Sequence, residues 1–198
     1  PTGRILAVSE IEKLIQPDPG RMVIVDEAYI DFGGESCVPL TKKYDNLLVV
    51  QTFSKSRSLA GGRLGFGIAN EKVIADLNMI KYSTNPYNVN SATLAAGAEV
   101  LKAQDVFDKN CRVIIKNREY TTRNLTELGF DVIPSKANFV FAKSTDIGGE
   151  ELYEKLKEKG VLVRHFTLSR IADYNRITIG TKEQMDVLFE KIKEILKK

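Results

Sequence analysis

The stretch Leu47-Leu48-Val49-Val50-Gln51-Thr52-Phe53-Ser54-Lys55-Ser56-Arg57-Ser58-Leu59-Ala60-Gly61-Gly62-Arg63-Leu64-Gly65-Phe66 decides how the rest of the chain is read. It begins as a short apolar run, which reads as a buried strand extended towards Phe53. It ends abruptly at Ser54-Lys55. Beyond that point come hydroxyls, small residues that permit close backbone approach, and an arginine eight positions after the lysine. Hydroxyls and a guanidinium suit a phosphate, and a lysine that is partly desolvated beside cations can act as a nucleophilic amine. The order Gly-x-x-x-x-Gly-Lys-Ser/Thr is absent, which disfavours a nucleotide P-loop. Taken alone, the segment reads equally well as a surface loop.

Working outward, Met22-Val23-Ile24-Val25 is a second short apolar run, expected as a buried strand, and it stops at Asp26-Glu27. A third run, Phe66 to Ala69, follows the glycine-rich segment. Polar groups therefore cluster at strand ends, where ligands of open α/β sheets gather. Ser9 followed by Glu12 predicts a capped helix through Ile15, ended by Pro17, Pro19 and Gly20. Asn70 predicts a cap for a helix with a Val73, Ile74, Leu77, Ile80 stripe, and an Ala-rich helix starts near Ser91. From about residue 105 the texture changes to longer charged helical stretches closing at Leu128-Gly129. Strand Asn138 to Ala142, helix Glu150 to Lys159, strands Val161 to Phe166 and Arg176 to Ile179, and a final helix opened by Thr181 and Gln184 complete a second α/β unit. The expected domains are 1–104 and 105–198.

Composition excludes several function classes. Of 198 residues, 43% are hydrophobic and 28% charged, which fits a globular protein rather than a disordered or collagenous one. The net charge of +3 comes from interspersed charges with no basic block, so no nucleic-acid partner is expected. No apolar stretch reaches the roughly 20 residues of a membrane span and no signal pattern opens the chain, so no membrane is expected and the protein is placed in the cytoplasm. Cys37 and Cys111 form no Cys-x-x-Cys pattern and are expected as reduced structural thiols. The single histidine, His165, makes a zinc site improbable and is expected to be incidental; no metal is expected.

Three groups remain as candidates for chemistry. Asp26-Glu27-Ala28-Tyr29 places an acid and a phenol three residues apart at a strand end, although an isolated pair of this kind also reads as a loop cap and a core aromatic. The second is the segment around Lys55. The third, Arg176-Ile177-Thr178-Ile179-Gly180, puts the two isoleucines on one strand face and Arg176 with Thr178 on the other. A half-exposed strand with a surface arginine explains it equally.

In this order, together with Pro1-Thr2-Gly3 and Gly160-Val161-Leu162-Val163-Arg164, the groups resemble the fold-type I pyridoxal-phosphate aminotransferases, and closely their histidinol-phosphate branch. The resemblance covers essentially the whole chain. It implies an α/β fold: the C-terminal part of the large domain, with a mainly parallel sheet and helices on both faces, followed by a smaller α/β domain. It also implies roles. Lys55 forms the imine with the aldehyde of pyridoxal 5'-phosphate and later shuttles the proton between substrate carbon and cofactor C4′. Asp26 faces the pyridine nitrogen, Tyr29 donates to the phenolate oxygen, and Ser54 with Arg63 holds the phosphate. Arg176 binds the anionic group of the substrate and Arg164 adds a second positive charge, a pair that suits a phosphate better than a carboxylate. An equally good reading of Arg164 is a surface residue.

The implied activity is transamination between L-histidinol phosphate and 2-oxoglutarate, giving imidazole-acetol phosphate and glutamate, with small amine and keto-acid substrates and a homodimer for the full-length protein. A related aromatic aminotransferase or a phosphothreonine-type decarboxylase is the alternative. A non-catalytic fragment or scaffold is the alternative of another class. Family members carry a further segment before the Pro-Thr-Gly, including an asparagine and an aromatic that meet the cofactor, so exposed apolar surface is expected on this chain. Tyr82, Asn85, Tyr87 and Asn88 form a polar aromatic loop that suits either a partner subunit's site or a plain helix connection.

Overall fold

Val8, Ile11 and Ile15 recur at helical spacing, and in the computed structural model, which describes residues 1–198, they form the inner face of α1 (Val8–Ile15). The cap lies at Ala7 rather than Ser9, because the Glu10 carboxylate reaches back to accept from the Ala7 N–H at 2.8 Å. Ser9 therefore sits inside the first turn.

Strands β1 (Val23–Asp26) and β2 (Leu47–Thr52) pair in parallel with Val25 opposite Val49, and β3 (Gly65–Ala69) joins β2 antiparallel with Val50 opposite Gly67. The order is β1-β2-β3, a mixed sheet whose parallel pair requires the long connection between them. Alternation sends Val23, Val25, Leu47 and Val49 to one face, where they pack with Ile15 and Cys37 and with the partly buried Val38, Leu40 and Tyr44. Leu47 and Val49 are wholly buried, each contributing about 1.5–3 kcal/mol.

The other face corrects an expectation. Ile24 is 62% exposed, so the Met22–Val25 run is covered on one side only. Its apolar residues fit two covered faces, and no element of this unit buries Ile24. Helix α2 (Glu71–Thr84), capped by Asn70 accepting from Lys72 N, half-buries Val73 and Ile74 but leaves Leu77 and Ile80 exposed. Helix α3 (Ser91–Lys102) is capped by Asn90, and its Gly97 lies against Leu64 and Phe53.

The chain continues through α4 (Gln104–Glu127), β4 (Phe130–Ile133), β5 (Phe139–Ser144), α5 (Gly149–Glu158), β6 (Arg164–His165), β7 (Asn175–Thr178) and α6 (Lys182–Leu196). The two compact units are Leu6–Asn110 and Pro1–Ile5 with Cys111–Lys198. The division thus falls inside α4, the helix expected to head the second domain, and residues 1–5 go with the C-terminal unit. There the Gly3 carbonyl accepts from Lys136 N at 2.8 Å, and Gly3 has a φ of 76°.

All strands of this second sheet run antiparallel in the order β4-β5-β7-β6. Val140, Ala142, Ile177 and Ile179 face Leu125, Leu152, Leu156, Leu188 and Ile192, building one core from the sheet and three helices. β4 was not expected from sequence. Phe130-Asp131-Val132-Ile133 is short and interrupted by a charge, and its pairing with β5 defines it as a strand. Conversely, the expected strand Val161–Phe166 shrinks to Arg164–His165. Val161 N bonds back to Leu156 O at 2.9 Å to close α5, and an apolar cleft of about 390 Å³ lies between Val161–Val163 and Ile177, Met185 and Leu188. No helix is long and apolar enough to cross a membrane.

Candidate active site

The carboxyl end of β1 and the exit of β2 meet because the two strands are parallel neighbours, Asp26 standing opposite Val50. Parallel pairing is what makes the two polar strand ends converge. An open cavity of about 370 Å³ lies there, lined by Asp26, Ala28, Val50, Gln51, Thr52, Ser54, Lys55 and Arg63. Four of the five residues expected to meet the cofactor, Asp26, Ser54, Lys55 and Arg63, thus share one cavity. The fifth, Tyr29, lies beside it, with the Lys55 Nζ 5.3 Å from the centre of its ring.

Local hydrogen bonds fix these positions. Asp26 Oδ1 accepts from Ala28 N at 2.9 Å, turning the chain as it leaves β1. Thr52 Oγ1 accepts from Ser54 N at 3.1 Å and donates to Leu64 O at 3.4 Å, and Phe53 N donates to Leu64 O at 3.0 Å, so the lysine loop is closed at its neck. Beyond Lys55, the buried Ser56 hydroxyl donates to Asp31, which ties this loop to the segment after Tyr29. The Arg57 guanidinium lies 3.5 Å from the centre of the Phe107 ring and donates to Gln104. Arg63 has a φ of 52° and anchors one guanidinium nitrogen on Ala60 O at 3.2 Å.

Lys55 and Asp26 are both exposed. The desolvation expected for the lysine is therefore not supplied by the residues around it in this chain. No carboxylate forms a salt bridge with its amine, and the residue lines the cavity.

The sequence did not single out Glu27 beyond its place next to Asp26. Glu27 is only 4% exposed; its Oε1 accepts from Cys37 N at 2.5 Å, and its Oε2 from Ser36 Oγ at 2.7 Å and Gln51 Nε2 at 2.8 Å. The only sequence signal was a charged residue directly after an apolar run. Burial, with the neighbouring Glu27 and Glu35 adding to it, pushes the Cys37 thiol above its ordinary range, in keeping with an inert structural cysteine.

In the second unit, Arg164 stands opposite Arg176 across the β6–β7 ladder, so both side chains leave the same sheet face. Like charges placed opposite one another cost stability unless an anion or aromatic surface compensates. Arg176 Cζ lies 5.1 Å from the centre of the Phe139 ring and Arg164 Cζ 5.6 Å from that of Phe166. The Arg176 Nε is buried with no hydrogen-bond partner. As expected from the strand pattern, Ile177 and Ile179 are buried on the opposite face. His165 points away from the arginines, stacked on Tyr153 at 5.9 Å. Tyr82 and Tyr87 are exposed. No group of His, Cys, Asp and Glu side chains could hold a metal ion.

The cavity fits pyridoxal phosphate in size and in donor set. Its volume lies within the about 300–1,000 Å³ of small-molecule sites. An amine, a carboxylate, a hydroxyl and a guanidinium line it together, complementary to an aldehyde, a ring nitrogen and a phosphate.

The chain is 52% identical over 198 residues to the histidinol-phosphate aminotransferase of Brachyspira hyodysenteriae, covering all of this chain and 56% of that protein. The crystal structure of histidinol-phosphate aminotransferase from Clostridium acetobutylicum superposes with a TM-score of 0.90 at 26% identity, over 100% of this chain and 61% of that one. L-threonine-O-3-phosphate decarboxylase from Porphyromonas gingivalis superposes at 0.86 with 25% identity, over 100% and 62%. The chain thus spans a little over half the length of the curated relatives it matches. Convergent strand ends, a lysine and a carboxylate on one cavity, and a match to the model of aminotransferase class I and II over residues 1–192 lead to one conclusion: the chain belongs to that family.

Proposed function

We propose that this protein is a pyridoxal-phosphate aminotransferase that exchanges an amine between L-histidinol phosphate and 2-oxoglutarate, giving imidazole-acetol phosphate and glutamate, and that it works in the cytoplasm as a homodimer. The observation that carries the reading is the shared cavity of Lys55, Asp26, Ser54 and Arg63, with the Tyr29 ring beside the amine. The 52% identity to a histidinol-phosphate aminotransferase supports the substrate.

Pyridoxal phosphate, when bound, supplies an electrophilic aldehyde for amines and an electron sink for the pair left on the substrate α-carbon. Lys55 would hold the cofactor by its aldehyde carbon. Its Nζ, once free and neutral, would act as the base that takes the substrate's α-carbon proton and as the acid that gives it back. Asp26 holds the ring nitrogen's proton, keeping the ring cationic. Tyr29 donates to the ring's phenolic oxygen, while Ser54 and Arg63 bind the phosphate by a hydroxyl and a guanidinium fork. Arg176 and Arg164 bind the substrate's anionic group, and two guanidiniums on one sheet face match the nearly two negative charges of a phosphate.

The spectrum of the protein mixed with pyridoxal phosphate tests the site. A visible band present in the wild type and absent in Lys55→Ala is expected; identical spectra would favour the scaffold reading. Steady-state rates with histidinol phosphate, phenylalanine and threonine phosphate test the substrate. Preference for histidinol phosphate is expected, whereas carbon dioxide release from threonine phosphate would favour the decarboxylase reading, which the Porphyromonas gingivalis neighbour makes specific.

A further inference from the structure

Glu27 stands between two walls of the cofactor cavity without lining it. The preceding residue, Asp26, and the following one, Ala28, both face the cavity, as does Gln51, the donor to Glu27 Oε2. Its backbone is held as well: Glu27 N donates to Val50 O at 2.9 Å, and its own carbonyl accepts from Ile30 N at 3.1 Å. The side chain therefore joins the end of β1, the end of β2 and the Ser36–Cys37 turn through three donors, at 4% exposure. A buried carboxyl that satisfies three donors rigidifies what it joins, and removing it leaves those donors unpaired.

We propose that Glu27 is a positioning residue for the cofactor site, setting the direction of Asp26 and the place of Gln51. The proposal rests on the reading of the cavity as that site. Asp26 is an exposed side chain at a strand end, held by the bond from Ala28 N, so its aim depends on how residues 26–29 leave the strand. Glu27 is the residue that fixes that exit. Chemically, a site that holds a ring nitrogen needs its carboxylate placed to within about half an ångström, and such placement comes from neighbours locked by packing and hydrogen bonds.

Three variants of the intact protein test this. Glu27→Gln sets an N–H₂ group against N–H and O–H donors. Ser36→Ala removes one donor away from the cavity. Ile15→Val, in the core under α1, loses stability without removing any hydrogen bond of the network. Cofactor affinity from visible titration is expected to fall about tenfold or more in Glu27→Gln and a few-fold in Ser36→Ala, and to stay within twofold in Ile15→Val. The pH at which the bound cofactor's visible band changes is expected to shift in Glu27→Gln alone.

Hydrogen exchange on the cofactor-free protein gives a second readout. Amides in 26–31, 36–38 and 50–56 are expected to exchange faster in Glu27→Gln, with 139–144 unchanged. Cofactor affinity within twofold of wild type in Glu27→Gln, or losses that track thermal stability equally in all three variants, would overturn the proposal. Absence of any Lys55-dependent band in the wild type would instead overturn the function proposed above, with the exchange pattern still reading whether Glu27 holds the cavity walls.

Discussion

At the scale of single residues, Arg63 combines a left-handed backbone with a guanidinium at the cavity, a conformation that costs a non-glycine residue roughly 1 kcal/mol or more. Arg63→Gly is accordingly expected to relieve backbone strain while weakening pyridoxal phosphate binding roughly 10- to 100-fold, the loss of about 1.5–3 kcal/mol for a charge-assisted hydrogen bond. Thermal melting with and without the cofactor checks both parts. Lysine at 63 keeps the charge and loses the fork, and should rescue binding only in part. Far from the cavity, Glu194 is held down to about 2 from an ordinary 4.5, first by the hydrogen bond from Lys159 and then by that from Lys191. A depressed carboxyl stabilises the fold fully above its unfolded value and loses that contribution as pH falls through the folded one. The protein is thus expected to lose stability between about pH 4.5 and 2, with a shallower acid limb in Glu194→Gln, as read by urea midpoints across that window.

At the scale of elements, two glycines at the ends of α5 separate two kinds of requirement. Gly160 follows the helix with a φ of 81° and open space where a Cβ would stand, so Gly160→Ala should cost only the left-handed conformation, about 1–2 kcal/mol. Gly149 opens the helix in an ordinary conformation, but a Cβ there would overlap the backbone of Ala172 and Asp173. Gly149→Ala must move backbone that Asn175 also braces through its bond to Gly149 O at 2.8 Å, and should lower the melting temperature more than Gly160→Ala. The reverse order would contradict the packing described. Thr181, whose hydroxyl accepts from Gln184 N while Gln184 Oε1 accepts from Thr181 N, makes α6 the helix whose start was most legible. Thr181→Ala should cost about 1 kcal/mol, measurable by chemical denaturation.

At the scale of the molecule, each unit has its own core, and the Leu6–Asn110 unit carries exposed apolar side chains at Ile24, Phe66, Met79, Ile80, Tyr87 and Leu94. A set of this kind marks surface that associates. The 198-residue chain is expected to self-associate with rising concentration, and Ile24→Thr, which replaces one exposed apolar residue by a β-branched polar one, should reduce light scattering without lowering the melting temperature.

Local chemistry read from the sequence determined the short apolar strands, the Asn70 and Thr181 helix starts, and the residues Asp26, Ser54, Lys55 and Arg63 at strand ends, because periodicity, capping and strand termination act over a few neighbouring positions. Tertiary structure alone decided the rest. β4 exists through its partner β5; the ladder at β6 stops where Val161 turns back to cap α5; and Ile24 is exposed because no element of its unit covers that face. Glu27 shows the same division most clearly. As a residue type it belongs at the surface, and only the arrival of Ser36, Cys37 and Gln51 from other parts of the chain makes burying its carboxyl possible.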